Sequence, residues 1–429
     1  MNSERIELGT DSMGICEYLD NFQQESFSLD NNPKSRTFML IDMDAFFVSC
    51  EVAARPELKG KPVGVVTGAQ RHGVVASVSY EARKYGIKAG TPVYRAKDLC
   101  PEIILIPADI AKYAYISESI MEYLKEKFKK VEVFSIDEAF VDITGEKDPL
   151  KLATEVKSYI KGTFRVPLTI GIGPSRVIAK MACEISKPDG LMQIKAEEIL
   201  QKLGHLEVDE IPGIGQRTGD ALRNIGIRTI RDLWVIDEDT LIRRFGIRGK
   251  WYKDMAMGKD AGFFTLLEQG LPLKSIGHSE TFPRDIMDPE EIKTYTLYLS
   301  EKVGRRLRKH ELMGYGIWVY LRYADFTGDS ISRKFTKPFF TTSEIYRRAI
   351  FLIQKIIDGK PIRLIGVAVF GLKPLKPQLS LFEEDLRDVR LDFALDKIND
   401  IYGDFTVRRA RLVGIPAVHH VIPPRGIPR

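Results

Sequence analysis

A short run, Phe38-Met39-Leu40-Ile41, passes without a break into Asp42-Met43-Asp44, and this junction restricts the fold more than anything else in the chain. Four consecutive apolar residues are greasy on both faces, so the run reads as a central strand covered above and below. Carboxylates at the end of such a strand are costly unless they are solvated or hold a cation. A second acidic pair, Asp137-Glu138, lies between the alternating runs Val131–Phe134 and Ala139–Ile143, which read as a hairpin without an Asn-Gly turn. Adjacent side chains of a straight strand point to opposite faces, so both members of this pair reach one site only at a turn. Hard oxygen ligands of this kind suit Mg²⁺, which takes one or two carboxylates and leaves its other positions to phosphates. Two such strand ends brought together would form a two-metal phosphoryl-transfer site. Each pair taken alone fits a surface strand end equally well.

The rest of the chain sorts into two α/β regions around a helical one. Pro62–Val66 and Gly73–Ser77 read as strands, and Tyr80–Tyr85 as a helix closed by Gly86. Tyr113–Lys130 has helical spacing and a charged outer face, Leu168–Ile172 reads as a strand, and Ser175 caps a helix running to Ser186. From Leu200 short helices separated by glycine replace strands as far as Leu266, and Gly270–Lys274 reads as a linker. A strand, a helix (Glu290–His310), two strands (Gly316–Tyr323 and Ile331–Thr336), a helix (Ser343–Ile357) and a strand (Leu364–Phe370) then describe a second α/β domain with a mostly antiparallel sheet. Residues 1–36 are polar, acidic and poor in periodic apolar positions, and read as a flexible or loosely helical extension.

At 429 residues the chain has room for about three domains, and with 44% hydrophobic and 29% charged residues it is neither disordered nor collagenous. No apolar run approaches the roughly 20 residues that span a bilayer, and the N-terminus lacks the pattern of a secretory leader. Cys16, Cys50, Cys100 and Cys183 form no C-x-x-C pair, so reduced thiols, a cytoplasmic location and no zinc site are expected. Six histidines without H-E-x-x-H spacing, and the absence of G-x-S-x-G and of a P-loop, exclude several hydrolase and NTPase classes. Gly277–Leu372 holds 16 Lys and Arg against 11 Asp and Glu, which accounts for the whole net charge of +5. The charge alone fits a nucleic-acid surface on that domain or a solvated basic face.

Features suited to anions accompany the acids. Tyr80, Arg83 and Lys84 lie at i, i+3 and i+4 and share a helix face, where a guanidinium can fork onto phosphate oxygens. Lys187 opens the turn Lys187-Pro188-Asp189-Gly190, which can hold an ammonium in place. Singly, such residues are more often plain surface side chains. Ile211-Pro212-Gly213-Ile214-Gly215 is similar to the hairpin of a helix-hairpin-helix motif, whose glycines let backbone N–H groups approach a DNA phosphate. A tight helix–helix turn would look the same.

Taken together, these blocks make the chain resemble a Y-family DNA polymerase, most closely the bacterial DinB-type (polymerase IV) branch. The resemblance rests on Ile41–Phe47, Tyr80–Gly86, Ser135–Phe140, Gly171–Ser175 running on to Ala179-Lys180, and Lys187–Gly190, in family order and covering about residues 37 to 372. It implies an α/β multidomain right hand: palm at 37–45 and 109–194, small fingers at 46–108, a helical thumb at 195–267, a linker at 268–276, an α+β little finger at 277–372 and a tail at 373–429. It implies that Asp42, Asp137, Glu138 and the Met43 carbonyl hold two Mg²⁺ ions, with Asp44 in support. Ser77, Tyr80, Arg83 and Lys187 match positions that contact the triphosphate, and Phe47 matches the steric gate against a ribose 2′-OH. Gly213 and Gly215 would meet the DNA backbone.

The activity implied is template-directed deoxynucleotide addition at a primer 3′-OH, with low fidelity, lesion bypass and no proofreading, by a monomer without a membrane partner. The alternative is an inactive, DNA-binding relative of the family, and the intact carboxylates and Phe47 weigh against it. Gln378-Leu379-Ser380-Leu381-Phe382 resembles the peptide that binds the bacterial sliding clamp, with Leu381 and Phe382 as the apolar anchors. Asp392–Arg411 reads as a small charged addition with no role assigned.

Overall fold

In the computed structural model, residues 36–67, 73–262, 264, 273–375 and 383–415 are described, without the side chains of 383–386. The N-terminal extension up to residue 35, residues 268–272 of the expected linker and the Gln378–Phe382 peptide therefore lie outside the described residues. The chain begins with β1 (Phe38–Met43), α1 (Phe46–Ala54), β2 (Val63–Thr67), β3 (Val74–Val78), α2 (Tyr80–Arg83), α3 (Val93–Leu99) and β4 (Ile104–Pro107). It continues through α4 (Ile110–Lys127), β5 (Val131–Val133), β6 (Glu138–Asp142), α5 (Pro149–Phe164), β7 (Leu168–Gly173), α6 (Arg176–Ser186) and β8 (Leu191–Gln193).

β1 is buried along its whole length and lies at the centre of a five-stranded sheet ordered β5-β6-β1-β7-β8. Its lack of alternation has a direct cause. Phe38 and Leu40 pack with Val177, Ile178, Met181 and Ala182 of α6 on one face. Met39, Ile41 and Met43 pack with Tyr113, Ile120 and Leu124 of α4 and Val156 and Ile160 of α5 on the other. The hairpin β5–β6 and the strand β7 follow the sequence expectation, as does the Ser175 cap, whose hydroxyl accepts from the Ile178 N–H. α6 lies unusually close on β7: a Cβ at Gly171 would come 2.0 Å from the Ala179 carbonyl oxygen, and one at Gly173 2.7 Å from the Ala179 nitrogen. A three-stranded sheet, β3-β2-β4, with its own small core of Val75, Val78, Ala82, Ile87, Ala96, Cys100 and Ile103, stands beside the larger one.

Among the described residues five short helices follow, α7 (Ile199–Leu203), α8 (Gln216–Arg223), α9 (Ile230–Val235), α10 (Glu238–Phe245) and α11 (Ile247–Ala256), sharing one core with α6. The C-terminal domain comprises β9 (Ser275–Ile286), α12 (Pro289–Lys309), β10 (Leu312–Tyr323), β11 (Gly328–Phe339), α13 (Thr342–Ile356) and β12 (Ile362–Phe370). Its sheet, ordered β11-β10-β12-β9, is antiparallel throughout, and a short β13 (Lys373–Pro374) pairs with β10.

Residues 383–415, unassigned from sequence, are part of this domain. α14 (Glu383–Tyr402) turns its acidic face inward, where Arg308 of α12 binds Asp392 and Asp396, and Phe405, Leu412 and Ile415 enter the domain core. Leu391, Ile398, Ile401 and Tyr402 are left on the outside. Among the described residues no helix is long and apolar enough to cross a membrane, and Cys50, Cys100 and Cys183 are free and buried.

Candidate active site

The two acidic strand ends meet. Antiparallel pairing of β1 with β6 sets Asp42 directly opposite Glu138. Asp137 occupies the bend just before β6, and its backbone carbonyl accepts from the Met43 N–H at 2.9 Å, fastening the bend to the end of β1. The turn required for adjacent carboxylates to serve one site is therefore present. Ser135, in the same bend, donates its hydroxyl to Asp137 Oδ1 at 2.5 Å and accepts from the Asp137 N–H at 3.3 Å. All three carboxylates line a cavity of about 550 Å³ together with Met43, Phe47, Ser77, Tyr80, Arg83, Lys88 and Lys187.

Two ammonium groups reach the acids from α6 and the turn after it. Lys187 Nζ lies 2.8 Å from Asp42 Oδ2, and Lys180 Nζ donates to Glu138 Oε1 at 2.6 Å. Burial pushes the Asp42 carboxyl up to about 8; Lys187 pulls it back, and the neighbouring Glu138 adds to the rise. Among the described residues no three His, Cys, Asp or Glu side chains stand close enough to enclose a metal by themselves. The donor set still fits Mg²⁺, which is held by one or two carboxylates and completed by water and substrate phosphates rather than by an all-protein cage.

The opposite wall comes from the small sheet. Ser77 sits on β3, and α2 presents Tyr80 and Arg83, whose guanidinium lies 4.3 Å from the Tyr80 ring centre. Burial and the Asp44 carboxylate hold the Tyr80 phenol up, at about 12, so it is a hydrogen-bond donor at neutral pH. Phe47, at the start of α1, stacks on Tyr113 with ring centres 4.5 Å apart and planes at 15°. Tyr113 is fully buried and donates its hydroxyl to the buried Glu51 at 2.6 Å, while Lys112 Nζ meets the same oxygen at 2.5 Å. The gate candidate therefore has a rigid backing.

Asp44 does not line the cavity; it ties the site together. Its carboxylate accepts from Thr169 Oγ1 at 3.0 Å, from the Asp189 N–H at 2.7 Å and from the Tyr80 hydroxyl at 3.2 Å, joining β1 to β7, to the Lys187 turn and to α2. Sequence reasoning gave Asp44 a supporting role but missed Thr169, Tyr113 and Glu51, and it quoted Ser135 and Lys180 without a function. Gly213 and Gly215 lie in the helical segment and do not line the cavity. Gly213 takes φ +99° and Gly215 caps α8, and a Cβ at either would meet no atom within 4 Å, which leaves the backbone there open to a large ligand.

Residues 41–184 match the impB/mucB/samB family, residues 273–381 its C-terminal domain and residues 196–227 the IMS family HHH motif. DNA polymerase IV of Desulfatibacillum aliphaticivorans is 34% identical over 393 residues, covering 89% of this chain and 98% of that protein. DNA polymerase IV 1 of Bacillus subtilis (strain 168) is 34% identical over 385 residues, covering 88% and 93%. Among solved structures, the Y-family DNA polymerase chimera Dbh-Dpo4(243-245)-Dbh superposes with a TM-score of 0.70 at 29% identity, covering 78% of this chain and 98% of that one. An insertion ternary complex of Dbh DNA polymerase superposes with a TM-score of 0.54 at 28% identity, with the same coverage. With its carboxylate-lined cavity, its C-terminal domain and relatives of this identity along most of its length, the chain belongs to the Y family of DNA polymerases.

Proposed function

We propose that this DNA-directed DNA polymerase of the translesion type adds deoxynucleotides to a primer 3′-OH in the cavity between β1, β6 and α2. One observation carries the reading: Asp42 and Glu138 face each other across paired strands, and the same cavity holds Asp137, Lys187, Tyr80, Arg83 and Phe47. Asp42, Asp137, Glu138 and the Met43 carbonyl are the groups that would hold two Mg²⁺ ions. Bound there, the ions supply Lewis acidity to the attacking 3′-OH and to the leaving pyrophosphate. Lys187 and Arg83 neutralise the triphosphate, Ser77 donates a hydrogen bond to it, Tyr80 contacts it by turning its hydroxyl away from Asp44, and the Phe47 ring, backed by Tyr113, fills the space a 2′-OH would need.

In this reading the five-stranded sheet with α4 to α6 is the palm, the three-stranded sheet with α2 and α3 is the fingers, α7 to α11 form the thumb, and the C-terminal domain is the little finger. Gly213 and Gly215 approach a DNA phosphate. The exposed Arg333, Lys334 and Lys337 on the edge strand β11 suit sequence-independent backbone contacts. Gln378–Phe382 docks on a sliding clamp, which raises the effective concentration of a monomeric enzyme at the primer. Replacing Leu381 and Phe382 with Ala should abolish stimulation by the clamp and spare unassisted extension; an unchanged clamp response removes that partner.

The experiment that tests the whole reading is primer extension on an undamaged template with Mg²⁺, wild type against Asp137→Ala/Glu138→Ala. Distributive extension by the wild type should fall by about 10³-fold or more in the variant. A folded, DNA-binding wild type that extends nothing would leave the inactive relative as the better description.

A further inference from the structure

The turn that carries Lys187 is held from two sides, and the cavity accounts for only one of them. On the inner side the Asp189 N–H donates to Asp44 Oδ2 at 2.7 Å and the Gly190 N–H to Thr169 Oγ1 at 3.3 Å. The turn is also tightly folded on itself: a Cβ at Gly190 would come 1.9 Å from the Ser186 carbonyl oxygen. These bonds engage only N–H groups; on the carbonyl side the Gly190 oxygen accepts from the Ile170 N–H of β7 at 3.1 Å. The remaining donor comes from α5. Lys157 Nζ donates to the Asp189 carbonyl oxygen at 2.5 Å and to the Gly190 carbonyl oxygen at 2.9 Å, and it lies 3.2 Å from Asp189 Oδ1. Lys161, one turn further along α5, pairs with the other carboxylate oxygen of Asp189.

The Lys157 side chain is only 16% exposed, and its ammonium lies within reach of these three oxygens. A lysine extended into solvent would not place its donors on three oxygens of one turn. Lys157 does not line the cavity. Its effect on substrate therefore has to pass through the turn.

We propose that Lys157 is a positioning residue for Lys187: by bridging the carbonyl groups of Asp189 and Gly190 it fixes the turn so that the Lys187 ammonium reaches the Asp42 end of the cavity in one place. The inference rests on the reading that Lys187 contacts the nucleotide triphosphate. An unbridged turn leaves that ammonium intact but spreads its positions, which weakens triphosphate binding without removing any group that touches the reacting atoms.

The test is steady-state single-nucleotide incorporation on a paired primer-template, with the full chain and a titrated deoxynucleoside triphosphate. The proteins are wild type, Lys157→Met, Lys157→Arg, Lys187→Ala and the double variant Lys157→Met/Lys187→Ala. Lys157→Met keeps the aliphatic stem and removes the donors. It should raise KM for the nucleotide about fivefold and change kcat less than about twofold. Lys157→Arg, whose guanidinium can also fork onto two carbonyls, should restore KM to within about twofold of wild type. The double variant should be no worse than Lys187→Ala alone, because the two residues act through one ammonium. A wild-type KM in Lys157→Met, a loss confined to kcat, or additive losses in the double variant would each overturn the proposal. If Lys187→Ala itself leaves KM unchanged, the triphosphate reading falls and the inference falls with it, a result distinct from the other three. Should Lys157→Met fail to fold, Lys157→Gln, which is shorter and uncharged but keeps two N–H donors, is read by the same KM comparison.

Discussion

Each α/β domain buries a cluster of charge, and the two clusters are built on opposite plans. In the N-terminal sheet, Asp42 and Glu138 are each met by a lysine through one contact, on the wall of a cavity of about 550 Å³. In the C-terminal domain, Arg308 forks onto both oxygens of Asp396 at 2.6 and 3.0 Å and reaches Asp392 at 3.0 Å. Asp392 in turn accepts from Arg409 at 2.6 Å and from the Thr342 N–H at 2.7 Å. The Arg308 and Asp392 side chains are 2% and 1% exposed, and neither lines the cavity of about 250 Å³ that Asp396 borders. An ammonium on a flexible stem is a point charge that changes partners readily, whereas a planar guanidinium fork commits its donors in fixed directions. The first cluster leaves its charges open to a cavity; the second is a fastener.

The sharpest way to break this contrast is Arg308→Met. Removing one member of a buried ion cluster costs about 3–5 kcal/mol, because Asp396 loses its guanidinium and Asp392 keeps only Arg409 and the Thr342 N–H. Urea unfolding together with protease cleavage after residue 382 reads the loss. A stability within about 1 kcal/mol of wild type would mean that the contacts left in place, among them the Thr342 N–H on Asp392, Arg305 on Asp400 and the packing of Phe405, Leu412 and Ile415, suffice to hold α14. Next in size is Phe47→Ala, which tests the cavity as a discriminating site. Deoxynucleotide incorporation should persist while preference against ribonucleotides relaxes by roughly 100-fold, since no ring would occupy the 2′-OH position. Ribonucleotide use that did not rise would remove the gate assignment.

Glu301 gives a smaller and pH-dependent effect. Its Oε2 is buried without a hydrogen bond, with Arg409 Nε 3.9 Å away. Burial pushes this carboxyl from its ordinary 4.5 up to about 7; Arg409 opposes the rise and Asp392 adds to it. A carboxyl whose folded pKa is raised contributes stability that is present below 4.5 and lost as pH rises through about 7. Glu301→Gln should therefore gain about 1–2 kcal/mol over wild type at pH 8 and almost nothing at pH 4.5, read by thermal unfolding at both. No gain at pH 8 would show the carboxylate to be ionised and satisfied. Smallest of all, Lys180→Met should change unfolding free energy by no more than about 1 kcal/mol. A loss comparable with that of Arg308→Met would erase the distinction between the clusters.

What could be read from sequence was local. The strand β1, the bend at Ser135–Asp137 and the Ser175 cap each announce themselves within a few residues, and so do the acids they position. The partners that hold those acids are remote. Thr169 is 125 positions from Asp44, Asp189 is 145, and Tyr113 is 62 from Glu51. No periodicity or spacing rule joins residues so far apart. α14 failed for a different reason. A helix docked on a domain is expected to bury its apolar stripe, but here Asp392, Asp396 and Asn399 face inward and Leu391, Ile398 and Ile401 face out, because ion pairs with Arg308 and Arg409 override the pattern.

The close approach of α6 to β7 makes the backbone of this helix a lever whose fulcrum is a missing methyl group. Lys180 rides on α6 and Lys187 follows its last turn, so both ammonium positions are measured from the floor formed by Gly171 and Gly173. A methyl at Gly171 would meet the Ala179 carbonyl oxygen at 2.0 Å, and relieving that overlap means lifting the helix by about 1 Å. Both ammonium groups would then be carried off their carboxylates together, with every charged residue of the site still in the sequence. The calibration of this site is thus set by two residues that have no side chain and never face the cavity.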